Sequence, residues 1–172
     1  MSRNRSPRFH GLSPSSQLAS RIKSRTGKKG TRAEMALRKA LRERGLRYRL
    51  HAGDLPGKPD IVFRGKKVAI FVDGDFWHGR NWEERRRKLA QGANPDYWLQ
   101  KIAYNMERDR SNTELLTGMG WRVLRYWERD VLGRAQSIAA EVHALLAEDE
   151  RGRLRPASKA MANRPPALSA EE

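Results

Sequence analysis

The stretch Asp60-Ile-Val-Phe63, Arg64-Gly-Lys-Lys67, Val68-Ala-Ile-Phe-Val72-Asp73-Gly-Asp75-Phe-Trp-His78 decides how this chain folds. Two short apolar runs rich in β-branched and aromatic residues flank a polar, glycine-containing turn, which is the pattern of a β-hairpin. Asp60 opens the first strand; Asp73 and Asp75 close the second. In an antiparallel hairpin those ends meet, so two or three carboxylates are expected to converge there. Carboxylate oxygens in such an arrangement make a hard site suited to Mg²⁺. His78 follows at once and suits general acid or base work near neutral pH.

Outward from the hairpin, the pattern is that of an α/β domain with a small mixed sheet covered by helices. Thr31 to Arg44 has apolar positions near helical spacing, a Thr31/Glu34 capping box and Gly45 as a stop. Leu46 to His51 reads as a short strand, and Asp54-Leu-Pro-Gly-Lys-Pro59 as a turn. Asn94-Pro95 opens a long helix with Trp98, Ile102 and Met106 one turn apart, ended by Gly118 and Gly120. Trp121 to Trp127 alternates as a strand should, and Gln136 to Glu148 is a last amphipathic helix. The expected order is α-β-β-β-α-β-α.

The 172 residues carry 36 Lys and Arg against 20 Asp and Glu, a formal charge of +16. Half of that excess lies in residues 1–30, which hold eight basic side chains and no acid. This segment reads as a flexible basic arm, residues 31–149 as the folded domain, and residues 150–172 as a disordered tail. A basic arm of this kind tracks phosphates, and its binding weakens with salt. The chain has no cysteine, which excludes thiolate chemistry, disulfides and cysteine-based zinc sites. It also lacks a bilayer-spanning apolar run and a signal peptide, so the expectation is an intracellular protein with no membrane partner and a polyanionic one.

Taken singly, each candidate has a plain alternative. Asp60 after Pro59 can cap a turn, Asp73 before Gly74 can be a turn residue, and Asp75 can face solvent. His78 can be a surface histidine, Glu34 only a capping residue, and Phe76-Trp77 core. Together on a basic chain they supply what phosphodiester hydrolysis needs: a cation on the phosphate, a group to activate water, and charge neutralisation.

Pro56-Gly-Lys-Pro-Asp60, Phe71-Val-Asp-Gly-Asp-Phe-Trp-His78, Tyr97-Trp98 with Lys101 and Asn105-Met-Glu-Arg-Asp109, and Gly120-Trp-Arg-Val-Leu124 with Trp127-Glu128 together resemble the very short patch repair (Vsr) endonucleases, across residues 20–147. The resemblance implies a restriction-endonuclease-like fold and Mg²⁺-dependent nicking of duplex DNA beside a T:G mismatch, the first step in repairing deaminated 5-methylcytosine. It implies that Asp60 and the Val72 carbonyl hold the metal, that His78 is catalytic, and that Glu34 orients water. Asp73 falls where members have a histidine or an aspartate. Phe76, Trp77 and Trp98 match aromatic residues that wedge into the base stack, and Lys101 and Asn105 lie where the mismatched bases are read. Mismatch-containing duplex DNA is the implied partner, with mismatch-repair proteins as further candidates, a monomer as the expected state, and a cytoplasmic, nucleoid-associated location.

The chain departs from the family in three places. Many family members carry a structural zinc site, built largely from cysteine, just after the wedge; this chain has Asp75 at one such position and Trp82 and Arg129 near others, so no structural zinc is expected and Trp82 packing is a candidate replacement. Ile22 or Lys23 stands where some members insert a methionine, and the Glu83-to-Lys88 run occupies a loop around Arg80–Gly92 that could contribute to target reading. A relaxed or altered sequence context follows as the expectation. The competing readings are a restriction-like nuclease of a restriction or mobile-element system and a non-catalytic DNA-binding protein on the same fold.

Overall fold

The computed structural model describes residues 6–7 and 30–154, with side chains to residue 148. The expected arm and tail lie almost wholly outside the described residues. The elements are α1 (Arg32–Glu43), β1 (Arg49–Leu50), β2 (Ile61–Phe63), β3 (Val68–Asp73), α2 (Trp82–Ala90), α3 (Pro95–Gly118), β4 (Arg122–Trp127) and α4 (Glu128–Leu154).

The four strands form one mixed sheet in the order β1-β2-β3-β4. β1 pairs antiparallel with β2, β2 antiparallel with β3, and β3 parallel with β4. The hairpin turn is a single 3-10 turn closed by Lys67 in the left-handed region at φ 49°. Because side chains alternate across a strand, each face collects its own core. Ile61, Phe63, Val68 and Ile70 pack under α1 and α4; Val62, Ala69 and Phe71 pack with Leu116 of α3 and Trp121 on the other face. The result is an α/β sandwich with helices on both faces, consistent with the restriction-endonuclease-like expectation.

Three expectations need correcting. The Arg-rich segment between Arg80 and Gly92 is not a loop: it contains the helix α2. Glu83 and Glu84 sit in its first turn and Arg87 and Lys88 in its last, which complements the helix dipole, and Glu84 pairs with Lys88 one turn on. The last helix begins at Glu128 directly after β4, not at Gln136; Arg134 interrupts it at φ −145°, and the amphipathic stretch follows that kink. The strand expected at 46–51 is reduced to Arg49–Leu50.

Candidate active site

The site lies where the sheet opens between β2 and β3. Asp60 stands just before β2, and its Oδ2 accepts the Val72 N–H at 2.8 Å. In an extended strand the N–H and C=O of one residue leave on the same side. The Val72 carbonyl therefore faces the edge that Asp60 occupies. α1 brings Glu34 to the same corner, and the bend after β1 brings His51, which adopts φ 46°. Ligand atoms of Glu34, His51 and Asp60 lie within 4.8 Å of one another. Glu34 is buried, and its Oε2 accepts from Arg38 Nη2 at 2.7 Å and from the Gly30 N–H at 3.2 Å. Thr31 Oγ1 accepts the Glu34 N–H, so the helix start is capped from the Thr31 side. Arg38 Nη2 also reaches His51 Nε2 at 3.0 Å. An arginine cannot accept, so Nε2 is the unprotonated nitrogen and Nδ1 carries the proton in that contact.

Burial pushes the Asp60 carboxyl up to about 6, aided by the Glu34 and Asp73 charges and opposed by the Val72 N–H bond and Arg38. The half-buried Asp60 carboxylate beside the buried Glu34 carboxylate and the Val72 backbone carbonyl is a donor set that fits a hard divalent cation.

A second cluster adjoins the first. Ligand atoms of Asp73, His78 and Asp109 also lie within 4.8 Å of one another. His78 Nδ1 is hydrogen-bonded to Asp109 Oδ2 and lies 3.5 Å from Asp73 Oδ1. Burial raises Asp109, but the His78 hydrogen bond and the His78, Arg125 and Arg108 charges outweigh it and hold the carboxyl below its ordinary range. Asp73 is buried and forked onto Arg125, with both N···O distances 2.7 Å. Asp60 and Val72 share one cleft of about 550 Å³ with Asp73, His78 and Asp109, and Lys58, Arg108 and Asn112 also line it.

Asp75 does not join these carboxylates. Its Oδ1 accepts from Arg80 Nη1 at 3.1 Å, and Arg80 Nη2 donates to Asp130 Oδ1 at 2.8 Å. Arg80 thus ties the segment after β3 to the start of α4, with its guanidinium over Trp127 at 5.9 Å.

Phe76, Trp77 and Trp98 form one aromatic cluster, with ring centroids 5.3 to 5.9 Å apart. Phe76 and Trp77 are half-buried, whereas Trp98 is 7% exposed and forms the floor of the cluster. The Arg85 guanidinium of α2 lies 5.2 Å above Phe76. Asn105 is buried, and its amide donates to the Trp77 carbonyl at 3.0 Å. Lys101, on the same face of α3, donates to Ser6 Oγ of the N-terminal segment. His51, Arg38, Asp109 and Arg125 were not among the expected site residues. Asp109 lies one helical turn from Asn105, which was its signal. Arg125 lies on the face of β4 that carries Trp121 and Val123, where a charge implies an acidic partner.

Residues 14–84 match the family described as DNA mismatch endonuclease Vsr. The type II nicking enzyme V.NmeDIP of Neisseria meningitidis serogroup C is 46% identical over 114 residues, covering 66% of this chain and 76% of that protein. V.HpaIIP of Haemophilus parainfluenzae, also a type II nicking enzyme, is 38% identical over 127 residues, 74% of this chain and 89% of that one. The chain belongs to the Vsr family. It is a DNA endonuclease, and DNA is its substrate. The DNA mismatch endonuclease Vsr of Escherichia coli (strain K12) is 36% identical over 104 residues, covering 60% of this chain and 65% of that protein. Among the described residues, no helix of this Vsr-family protein is long and apolar enough to cross a membrane.

Proposed function

We propose that this protein nicks one strand of duplex DNA beside a T:G mismatch in a Mg²⁺-dependent reaction, with a relaxed or altered sequence context. The observation that carries the reading is the Asp60–Val72 corner, whose carboxylate and carbonyl oxygens share a cleft with the His78–Asp109 pair. Asp60 and the Val72 carbonyl would hold the cation, with Glu34 and His51 beside them. A cation held there would polarise a scissile phosphate and offset the charge that develops on the leaving oxygen. His78 has Nδ1 committed to Asp109, so Nε2 is the nitrogen left to take a proton from attacking water. Asp109 orients the imidazole and balances its charge once protonated.

Phe76 and Trp77 form the wedge, Trp98 is the platform beneath them, and Asn105 fixes the Trp77 backbone. Insertion of such a wedge unstacks a base step at a cost of a few kcal/mol, roughly, and a mismatched step is cheaper to open. Lys58, Arg108 and the basic arm neutralise backbone phosphates without reading sequence. Asp75, Arg80 and Asp130 hold the wedge loop where family members use zinc. The folded unit spans residues 31–149 and works as a monomer in the cytoplasm, with mismatch-repair proteins as candidate partners. A second reading, a nuclease serving a restriction system, is favoured by the type II nicking enzyme names of several relatives. Cleavage of labelled duplexes carrying each mismatch in several sequence contexts, with and without Mg²⁺, separates the two. Nicking confined to T:G supports the first; equal cutting of matched duplex supports the second.

A further inference from the structure

Arg125 makes more contacts than an ion pair requires. Its Nε and Nη2 are forked onto Asp73. The same Nη2 lies 3.4 Å from Asp109 Oδ1, and Nη1 lies 3.4 Å from both the Asp109 carbonyl and Thr113 Oγ1. The guanidinium lies over the Phe71 ring at 4.5 Å. Among the described residues, Asp73 and Asp109 are the two carboxylates that touch His78. One planar cation from β4 therefore fixes both acceptors of the imidazole, one on β3 and one on α3. Two carboxylates brought to one imidazole repel each other, and a rigid five-donor fork stacked on a ring restrains their positions as a mobile ammonium would not. The backbone after His78 is already fixed: Gly79 sits at φ 77° against Met106. What remains free is rotation of the imidazole, and Asp73 and Asp109 set it.

We propose that Arg125 is a positioning residue for nicking: by holding Asp73 and Asp109 in place it keeps the His78 Nδ1 bonded and Nε2 turned to the cleft. The inference rests on the reading of His78 as the group that handles the proton.

The test uses the full chain with Arg125→Lys, which keeps the charge and loses the fork. Three quantities are read: the single-turnover nicking rate on a T:G duplex, the Kd for that duplex, and the ring-nitrogen NMR signals of His78 in metal-free, DNA-free protein. The rate should fall on the order of 100-fold, as expected for a misplaced catalytic group. Duplex Kd should stay unchanged, and the His78 Nδ1–H signal should broaden or shift. Phe71→Leu, which removes the ring under the guanidinium and no charge, should move the same His78 signal and stands in if the arginine variant does not fold. Wild-type nicking by Arg125→Lys overturns the proposal, as does an unmoved His78 spectrum in the folded variants. Nicking by Asp60→Ala would instead defeat the functional reading. The His78 spectrum needs neither metal nor DNA, so the two failures are distinguishable.

Discussion

Asp60→Asn should make the metal-free protein more stable while ending its activity. The Asp60 carboxyl is raised from 3.8 to about 6, chiefly by burial and then by the Glu34 and Asp73 charges, against the Val72 N–H bond and Arg38. A shift of about two units corresponds to roughly 3 kcal/mol of penalty on the ionised form in the folded state. The folded protein holds a proton between pH 3.8 and about 6 that the unfolded chain has released. Stability is therefore full below that window, falls as pH rises through it, and is lowest above it. Asparagine keeps an oxygen for the Val72 N–H and carries no charge. At pH 7.5 in chelator the variant should gain about 1–3 kcal/mol, a rise in Tm of roughly 4–10 °C for a domain of this size. The gain should vanish near pH 4. Mg²⁺ should raise the Tm of the wild type and leave that of the variant where it was. A variant that melts at or below the wild type in chelator at pH 7.5 refutes the burial argument.

The remaining predictions concern neighbouring parts of the site. At limiting Mg²⁺, nicking should fall as pH is lowered through about 6, because protonated Asp60 no longer binds the cation; a rate flat to pH 5 contradicts this. Gly79→Ala should destabilise by about 1–3 kcal/mol by urea melting, since an alanine there is strained at φ 77° and its Cβ would stand 2.4 Å from Met106 Sδ. Arg80→Ala should speed proteolysis within residues 75–82, whereas a zinc chelator should leave the wild-type Tm unchanged; a drop with chelator would show a metal in the loop. Trp77→Ala should retain fold and duplex binding but lose preference for T:G over matched DNA in competition cleavage.

The hairpin, α1, the body of α3 and β4 were legible because apolar periodicity and turn residues report local structure. α2 was not: Trp82 and Leu89 are its main apolar residues, and its helical signal is a charge pattern that also suits a solvated loop. The start of α4 was hidden because β4 runs into it with no turn residue between. Among the candidate site residues, Asp60 and His78 stand out because hairpin geometry connects near neighbours, whereas the capping pattern accounts for Glu34 without a site role and only the family resemblance gives it one. The partners of His78 did not, since Asp109 is 31 residues away, and Arg125 lies 52 residues from Asp73. Spacing along the chain cannot pair such residues; a charge on the core face of a strand is the trace that Arg125 leaves. The expected convergence of Asp75 with Asp60 and Asp73 fails for a local reason, because Arg80 takes its carboxylate.

One gel tests whether the Asp60 corner supports Mg²⁺-dependent nicking at a T:G mismatch. Strand-specifically labelled duplexes, identical except for a T:G or a T:A pair, are incubated with wild-type protein and with Asp60→Ala, each with Mg²⁺ or with chelator. A single nick is expected in one strand of the T:G duplex, by the wild type and with Mg²⁺ only. Cleavage by Asp60→Ala, cleavage in chelator, or equal cleavage of the T:A duplex would contradict it.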